Sequence, residues 1–229
     1  MLELPGFARE KGRTLGDGVR DLIAARLIAG EFAPGDRLSL RNVAEALGVS
    51  TTPARAAISQ LVAEGALEVT PKKAVRVPVL DVRRFRELTL LRIDIEGAAA
   101  ERAALARDAS DLAAIEGFEA RFRAESEKLK PNLARAVALN HKLHFAIYSA
   151  VRSPMLIDVI SGLWLKAGPI LNLDMRSSRE RLRDGHGRKA HAAMIAAIRS
   201  CDGPAARAAV AADIRGASEF IVARGVLPR

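Results

Sequence analysis

Apolar residues recur at helical spacing along most of this chain, interrupted once by a short alternating stretch. Between Asp17 and Ala29, Val19, Leu22, Ile23 and Leu27 share one face and predict a helix. Gly30 is its stop, because glycine accepts the left-handed conformation of a helix end. Phe32-Ala33-Pro34-Gly35-Asp36 is a turn by its proline and glycine. Ser39 can cap a short helix that turns Leu40, Val43, Ala44 and Leu47 inward and ends at Gly48. Ser50 or Thr51 caps the next, with Pro53 in its first turn, where a missing N–H costs nothing. Ile58, Leu61 and Val62 form its apolar face before Gly65. Such a pair reads as helix-turn-helix, the second helix offering its N-terminus to the DNA major groove.

After Gly65 the period changes. Residues 66–70 and 74–79 alternate like two short strands joined by Pro71-Lys72-Lys73. A basic hairpin behind a recognition helix is a wing, which sets Lys72 and Lys73 against phosphates or the minor groove. From Asp81 the helical period returns and holds to the end. A long helix over residues 81–107 carries Phe85, Leu88, Leu91, Ile95 and Ala99. Ser110 or Asp111 caps a second, and Pro131 starts a third with Leu139, Leu143 and Ile147. Ser153-Pro154 opens a fourth that kinks or breaks at Gly168-Pro169. A fifth runs through His191 to Ser200, and after a turn at Asp202-Gly203-Pro204 a sixth reaches about Ala223. The expected fold is mainly α. A winged helix-turn-helix with a small β-hairpin wing covers residues 1–79, residues 1–13 being a flexible arm. An antiparallel bundle of six or seven helices covers residues 80–229, long enough to bury a core.

Composition narrows the setting. With 4% aromatic residues and 49% hydrophobic ones, many of them alanine, the 229-residue chain favours helices. No apolar run is expected to reach the length of a membrane helix, and no signal peptide opens the chain, so a cytoplasmic protein without membrane contact is expected. The single Cys201 excludes an internal disulfide and a four-cysteine zinc site, and is read as an inert thiol. A net charge of +9 suits a polyanionic partner. Its distribution matters more: residues 1–80 hold 11 Lys+Arg against 9 Asp+Glu, and the remainder 25 against 18. An N-terminal part that binds DNA must therefore gather its cations on one face.

In the helical half, Asn140 and His144 lie one turn apart on one face, His191 sits beside Met194 and Ile195, and Asp213 lies among alanines. Side chains converging from three helices can bind a divalent cation, with imidazoles as the stronger ligands; the alternative is hydrogen-bonded core histidines. Arg92 stands one turn before Glu96. It either reaches into a pocket to hold an effector carboxylate or pairs with Glu96 along the helix. Tyr148 and Trp164 are core or pocket wall, whereas His141 and His186 are expected to be exposed. The basic run Arg176, Arg179, Arg181, Arg183, Arg188 and Lys189 is expected to be a solvated surface.

Several ordered motifs carry a resemblance. Phe32-Ala33-Pro34-Gly35-Asp36-Arg37-Leu38, Val43-Ala44-Glu45-Ala46-Leu47-Gly48-Val49-Ser50, Thr52-Pro53 with Arg55, and Leu61-Val62-Ala63-Glu64-Gly65 resemble the winged helix of GntR-family repressors. That resemblance puts Arg41, Ser50, Thr51, Thr52 and Arg55 at the DNA face, although either threonine can equally be a helix cap. Thr51 stands where many relatives carry arginine, and Lys72-Lys73-Ala74 replaces a common wing glycine. Threonine offers one hydroxyl and a methyl where arginine reads guanine bidentately, so the base preference is expected to differ. Leu91-Arg92 with Glu96, Asn140-x-x-x-His144-Phe145-x-x-Tyr148, Leu163-Trp164 with Gly168-Pro169, and His191-x-x-Met194-Ile195 are similar to the FCD ligand-binding domain of the FadR subfamily. Members of that domain often hold a metal with one Asp and three His. By resemblance the ligands here are Asn140, His144, His191 and Asp213, for a divalent transition metal such as zinc or nickel, with Arg92, Glu96, Tyr148 and Trp164 around an effector.

The expected function is a ligand-responsive transcriptional regulator, a homodimer on a pseudo-palindromic double-stranded DNA operator. It is expected to repress and to be released by a small organic acid. A metal-dependent hydrolase with an appended basic module is the alternative enzyme reading. The chain shows no His-Glu-x-x-His run, no Gly-x-Ser-x-Gly elbow and no Walker loop, so no catalytic residue is assigned. An architectural DNA-binding protein without effector is the third reading.

Overall fold

A computed structural model describes residues 13–177, 179, 182 and 185–228. Apart from Arg13, the expected N-terminal arm lies outside the described residues, as do Arg181 and Arg183 of the basic run. The N-terminal unit comprises α1 (Leu15–Ile28), β1 (Arg37–Leu38), α2 (Leu40–Ala46), α3 (Thr51–Ala63), β2 (Glu68–Val69) and β3 (Val75–Arg76). Thr14 caps α1 in a reciprocal capping box with Asp17, and Ser39 caps α2 by accepting from Asn42 N. Ser50 occupies the N-cap position of α3, yet its side chain makes no capping bond.

The sheet has three antiparallel strands in the order β1-β3-β2, with Arg37 opposite Arg76 and Glu68 opposite Arg76 on its other side. Only two strands are expected from the alternation. β1 is two residues long beside the Pro34-Gly35 turn, too short to show a period. Val19, Ile23, Leu27, Leu47, Leu61 and Leu67 fill the core of this unit. Leu165, from far along the chain, joins them.

The second unit packs α4 (Val82–Ala106), α5 (Ala109–Ser126), α6 (Leu133–Ser149), α7 (Pro154–Ser177), α8 (His186–Arg199) and α9 (Gly203–Ala223). Its centre joins Ala99, Ala103, Leu143, Ile147, Met194 and Val210. Small residues on α4 and α9 let those helices pack along one another. The caps refine the expected boundaries. Asp108 caps α5 in a box with Asp111, while Ser110 only donates to Asp108, and Asn132 caps α6. The expected turn at residues 202–204 is the start of α9, with Asp202 as cap and Pro204 in the first turn.

Pro169 does not break α7. An interior proline costs about 3 kcal/mol. Burial of Leu165, Ala167, Ile170 and Leu171 around it offsets that cost, because each fully buried aliphatic side chain contributes about 1.5–3 kcal/mol. The stretch Pro154–Leu173 is also long and apolar enough to span a bilayer by length and composition, contrary to expectation. Its apolar positions are divided between the cores of both units.

Backbone contact joins α7 to α1. A Cβ on Gly168 would lie 2.6 Å from Ile28 Cα and 2.9 Å from the carbonyl oxygens of Leu27 and Ile28. Buried Asn172 donates to the Ile28 carbonyl, which the end of α1 leaves unsatisfied.

Candidate metal centre and nucleic-acid interface

Glu96, fully buried, organises the bundle interior. Arg92, one turn earlier on α4, donates Nε to Glu96 Oε1 at 2.6 Å and a terminal nitrogen to Oε2 at 3.3 Å. Tyr148 of α6 and Trp164 of α7 both donate to Oε2, at 2.7 and 2.9 Å. Burial works against the Arg92 charge, but Glu96 outweighs it and raises the guanidinium pKa above its ordinary value. Burial and then Glu96 hold the Tyr148 phenol well above its usual pKa, so it remains a donor. The four expected effector residues are thus brought together, and Arg92 pairs with Glu96 along the helix.

The direction of the Tyr148 hydroxyl fixes what lies beyond it. Its one proton goes to Glu96, so at the 3.0 Å contact its oxygen accepts from His144 Nδ1–H. A neutral His144 then presents an unprotonated Nε2, which lies 3.3 Å from Asp213 Oδ2. On α8, His191 donates Nδ1–H to Glu119 Oε2 at 2.9 Å, and its Nε2 stands 4.0 Å from Asp213 Oδ1. Both Nε2 atoms are buried and make no hydrogen bond. Two lone pairs facing a carboxylate repel unless a cation stands between them. His144, His191 and Asp213 each offer one such atom within 4.8 Å of the others. Ligands about 2.1 Å from one ion stand roughly 3–4 Å apart, so these three atoms, within 4.8 Å of one another, could hold a metal ion.

Asn140 is half-buried. It lines a cavity of about 40 Å³ with Asp213, His186 and Arg188. That volume admits a water or an ion rather than an organic acid. His141 and His186 are half-buried instead of exposed. His141 stacks on Phe145 at 4.3 Å, and burial, with His144 and Lys142 nearby, lowers its pKa to about 4. His186 lies over Gly216 and donates to the Ala212 carbonyl at 3.1 Å. Both look solvent-facing in sequence because Trp164 beside His141 and the Ala212 carbonyl beside His186 come from other helices. Glu119, which orients His191, is missing from the sequence reading. Its signal was an acid set inside the apolar stripe Ile115, Phe118 and Phe122.

At the other end of the molecule Arg41, Ser50, Thr51, Thr52, Arg55, Lys72 and Lys73 are all exposed. With no capping bond at Ser50, the N-terminus of α3 presents its hydroxyl and unpaired N–H groups outward, a geometry suited to phosphate. Lys73 has φ +59°, the left-handed conformation that the usual wing glycine adopts without strain.

Residues 15–77 match the family model "Bacterial regulatory proteins, gntR family", and residues 87–216 match the FCD domain. The chain belongs to the GntR family and carries an FCD domain. Among its relatives, the HTH-type transcriptional regulator McbR of Escherichia coli (strain K12) is 31% identical over 169 residues, 74% of this chain and 76% of that protein. The solved structure titled E. coli McbR/YncC has a TM-score of 0.84 at 26% identity, covering 93% of this chain and 99% of that one. A putative GntR regulator from Rhodococcus sp. RHA1 shares the fold, with a TM-score of 0.69 at 20% identity, covering 91% and 97% of the two chains. This GntR-family protein is a DNA-binding transcriptional regulator with an effector-binding domain, not an enzyme, and the hydrolase and architectural readings fall with that membership.

Proposed function

We propose that this regulator is a cytoplasmic, metal-loaded homodimeric repressor that a small organic acid releases from a pseudo-palindromic operator. The two units divide near residue 80, where Asp81 caps α4 by accepting from Arg84 N. Arg41, Ser50, Thr51, Thr52, Arg55, Lys72 and Lys73 form the DNA face, and His144, His191 and Asp213 hold the ion, with Asn140 at its edge. The observation that carries the metal is the pair of buried, unbonded Nε2 atoms turned toward one carboxylate, with both Nδ1 atoms committed elsewhere. Two imidazoles and one carboxylate suit zinc or nickel. When bound, the ion would supply a Lewis-acidic anchor for an effector oxygen, and the cavity of about 40 Å³ beside it must widen to take the acid. Tyr148 and Glu119 fix the tautomers of the ion's ligands.

Regulation requires the bundle to act on the winged helix, and α7 touches both. Trp164 donates to Glu96, Leu165 lies in the winged-helix core, and Lys166 Nζ donates to the Glu64 carbonyl at 2.7 Å. An effector that shifts Glu96 or Trp164 therefore also acts on α3. Elemental analysis of untagged protein, purified without chelator, tests the site. About one metal per chain is expected, lost in both His144→Ala and His191→Ala. A metal-free protein even after soaking with zinc or nickel defeats the proposal. Metal retained in both variants moves the ion elsewhere.

A further inference from the structure

We propose that Arg37 joins Arg55 and Lys73 in a cleft that seats the DNA sugar-phosphate backbone between the major groove and the neighbouring minor groove. The inference rests on the DNA-binding reading above.

The described part of the N-terminal unit, residues 13–80, holds nine cations. Four have acidic partners: Arg13 pairs with Asp21, Arg20 with Asp21 and Glu64, Arg26 with Glu31, and Arg76 with Glu68. The other five, Arg37, Arg41, Arg55, Lys72 and Lys73, have no acidic partner among the described residues. Four of these are the cations that the motifs assign to DNA, so ion pairing sorts the cations of the unit into a neutralised set and a bare one. Arg37 is the fifth member of the bare set.

Its position is otherwise unfavourable. On the sheet Arg37 stands opposite Arg76, and like charges directly across a strand pair are destabilising. Glu68 neutralises Arg76 at 2.6 Å from the far side and leaves Arg37 uncompensated. Arg37, Arg55 and Lys73 line one cleft of about 560 Å³ between α3 and the wing, with Ser39 and Ser59 also on its walls. When the N-terminus of α3 enters the major groove and the wing tip meets the adjacent minor groove, the strand dividing those grooves must pass between α3 and the wing. The cleft lies there. Its occupant is a phosphodiester: three cations and two hydroxyls meet a charged ridge and read no base edge.

The test uses fluorescence anisotropy of the full chain on two duplexes, an operator selected by the wild-type protein from a randomised library and a short unrelated sequence. Salt is titrated between about 50 and 200 mM. Arg37→Ala is expected to weaken both duplexes by the same factor and to flatten the slope of log affinity against log salt by about 0.9, the signature of one lost phosphate contact. Arg37→Lys keeps most of the slope, and Arg26→Ala, removing a paired cation, leaves it unchanged. An unaltered slope in Arg37→Ala overturns the proposal. So does a loss confined to the selected operator, which makes Arg37 a base reader. Wild-type protein that binds neither duplex defeats the DNA-binding reading itself, an outcome distinct from either of these.

Discussion

Lys166 donates its ammonium to the carbonyl oxygen of Glu64, 2.7 Å away, and Glu64 is the C-cap of the recognition helix. The contact places a cation on the negative end of the α3 dipole. Lys166 lies two residues after Trp164, which reaches into the bundle to Glu96. Lys166→Met should therefore leave metal content unchanged and weaken coupling between the two ends. The readout is the ratio of operator affinity in apo and zinc-loaded protein. Allosteric coupling is typically about 1–3 kcal/mol, or roughly 5- to 150-fold, and the variant should bring that ratio toward one. An unchanged ratio removes Lys166 from the route.

Glu96→Gln should be among the most destabilising single changes in the bundle. It leaves the Arg92 guanidinium, 5% exposed, without a compensating carboxylate. Breaking one side of a buried ion pair costs about 3–5 kcal/mol, whereas replacing both sides by apolar residues is often near neutral. The double variant Arg92→Met with Glu96→Leu should thus unfold in urea closer to wild type than Glu96→Gln does. A double variant as unstable as the single one would show that Tyr148 and Trp164, which also lose their acceptor, carry more of the cost.

Gly168→Ala should destabilise, against the usual sign for glycine in a helix interior, where alanine gains about 0.5–1 kcal/mol. The added methyl would meet the backbone of Ile28 and Leu27, neither of which can swing aside. A loss of roughly 1–3 kcal/mol is expected, as for overpacking elsewhere. Amide hydrogen exchange at the C-terminal end of α1 should rise with it. Stabilisation in this variant would mean that the two units do not hold this contact in solution.

Lys73→Gly separates stability from binding. A non-glycine residue in the left-handed region costs about 1–2 kcal/mol, and glycine returns about 0.5–1 of that through its freer unfolded chain. The variant should gain up to about 1 kcal/mol in denaturant unfolding while losing DNA affinity on every sequence. A gain in stability with unchanged DNA binding would leave the strain at Lys73 without a function.

The local elements were legible in the sequence because each is specified by neighbours along the chain. Ser39 caps, Gly30, Gly48 and Gly65 terminate, and the stripes from Val19 to Leu61 name one face of each helix. The exposure of Arg41, Arg55, Lys72 and Lys73 was legible too, since an exposed side chain demands no partner. Partnership between distant residues was not legible. Nothing near Leu165 in sequence says that it completes the winged-helix core, and nothing near Pro169 says that burial on two sides keeps its helix whole. Likewise His141 and His186 are covered by side chains and backbone from other helices. The same limit holds at the candidate metal centre. Sequence supplied His144, His191 and Asp213 as residue types. Only the packing of five helices decided that Tyr148 and Glu119 take the Nδ1 protons and turn both Nε2 lone pairs on Asp213, because a tautomer is set by what stands 3 Å away in space rather than along the chain.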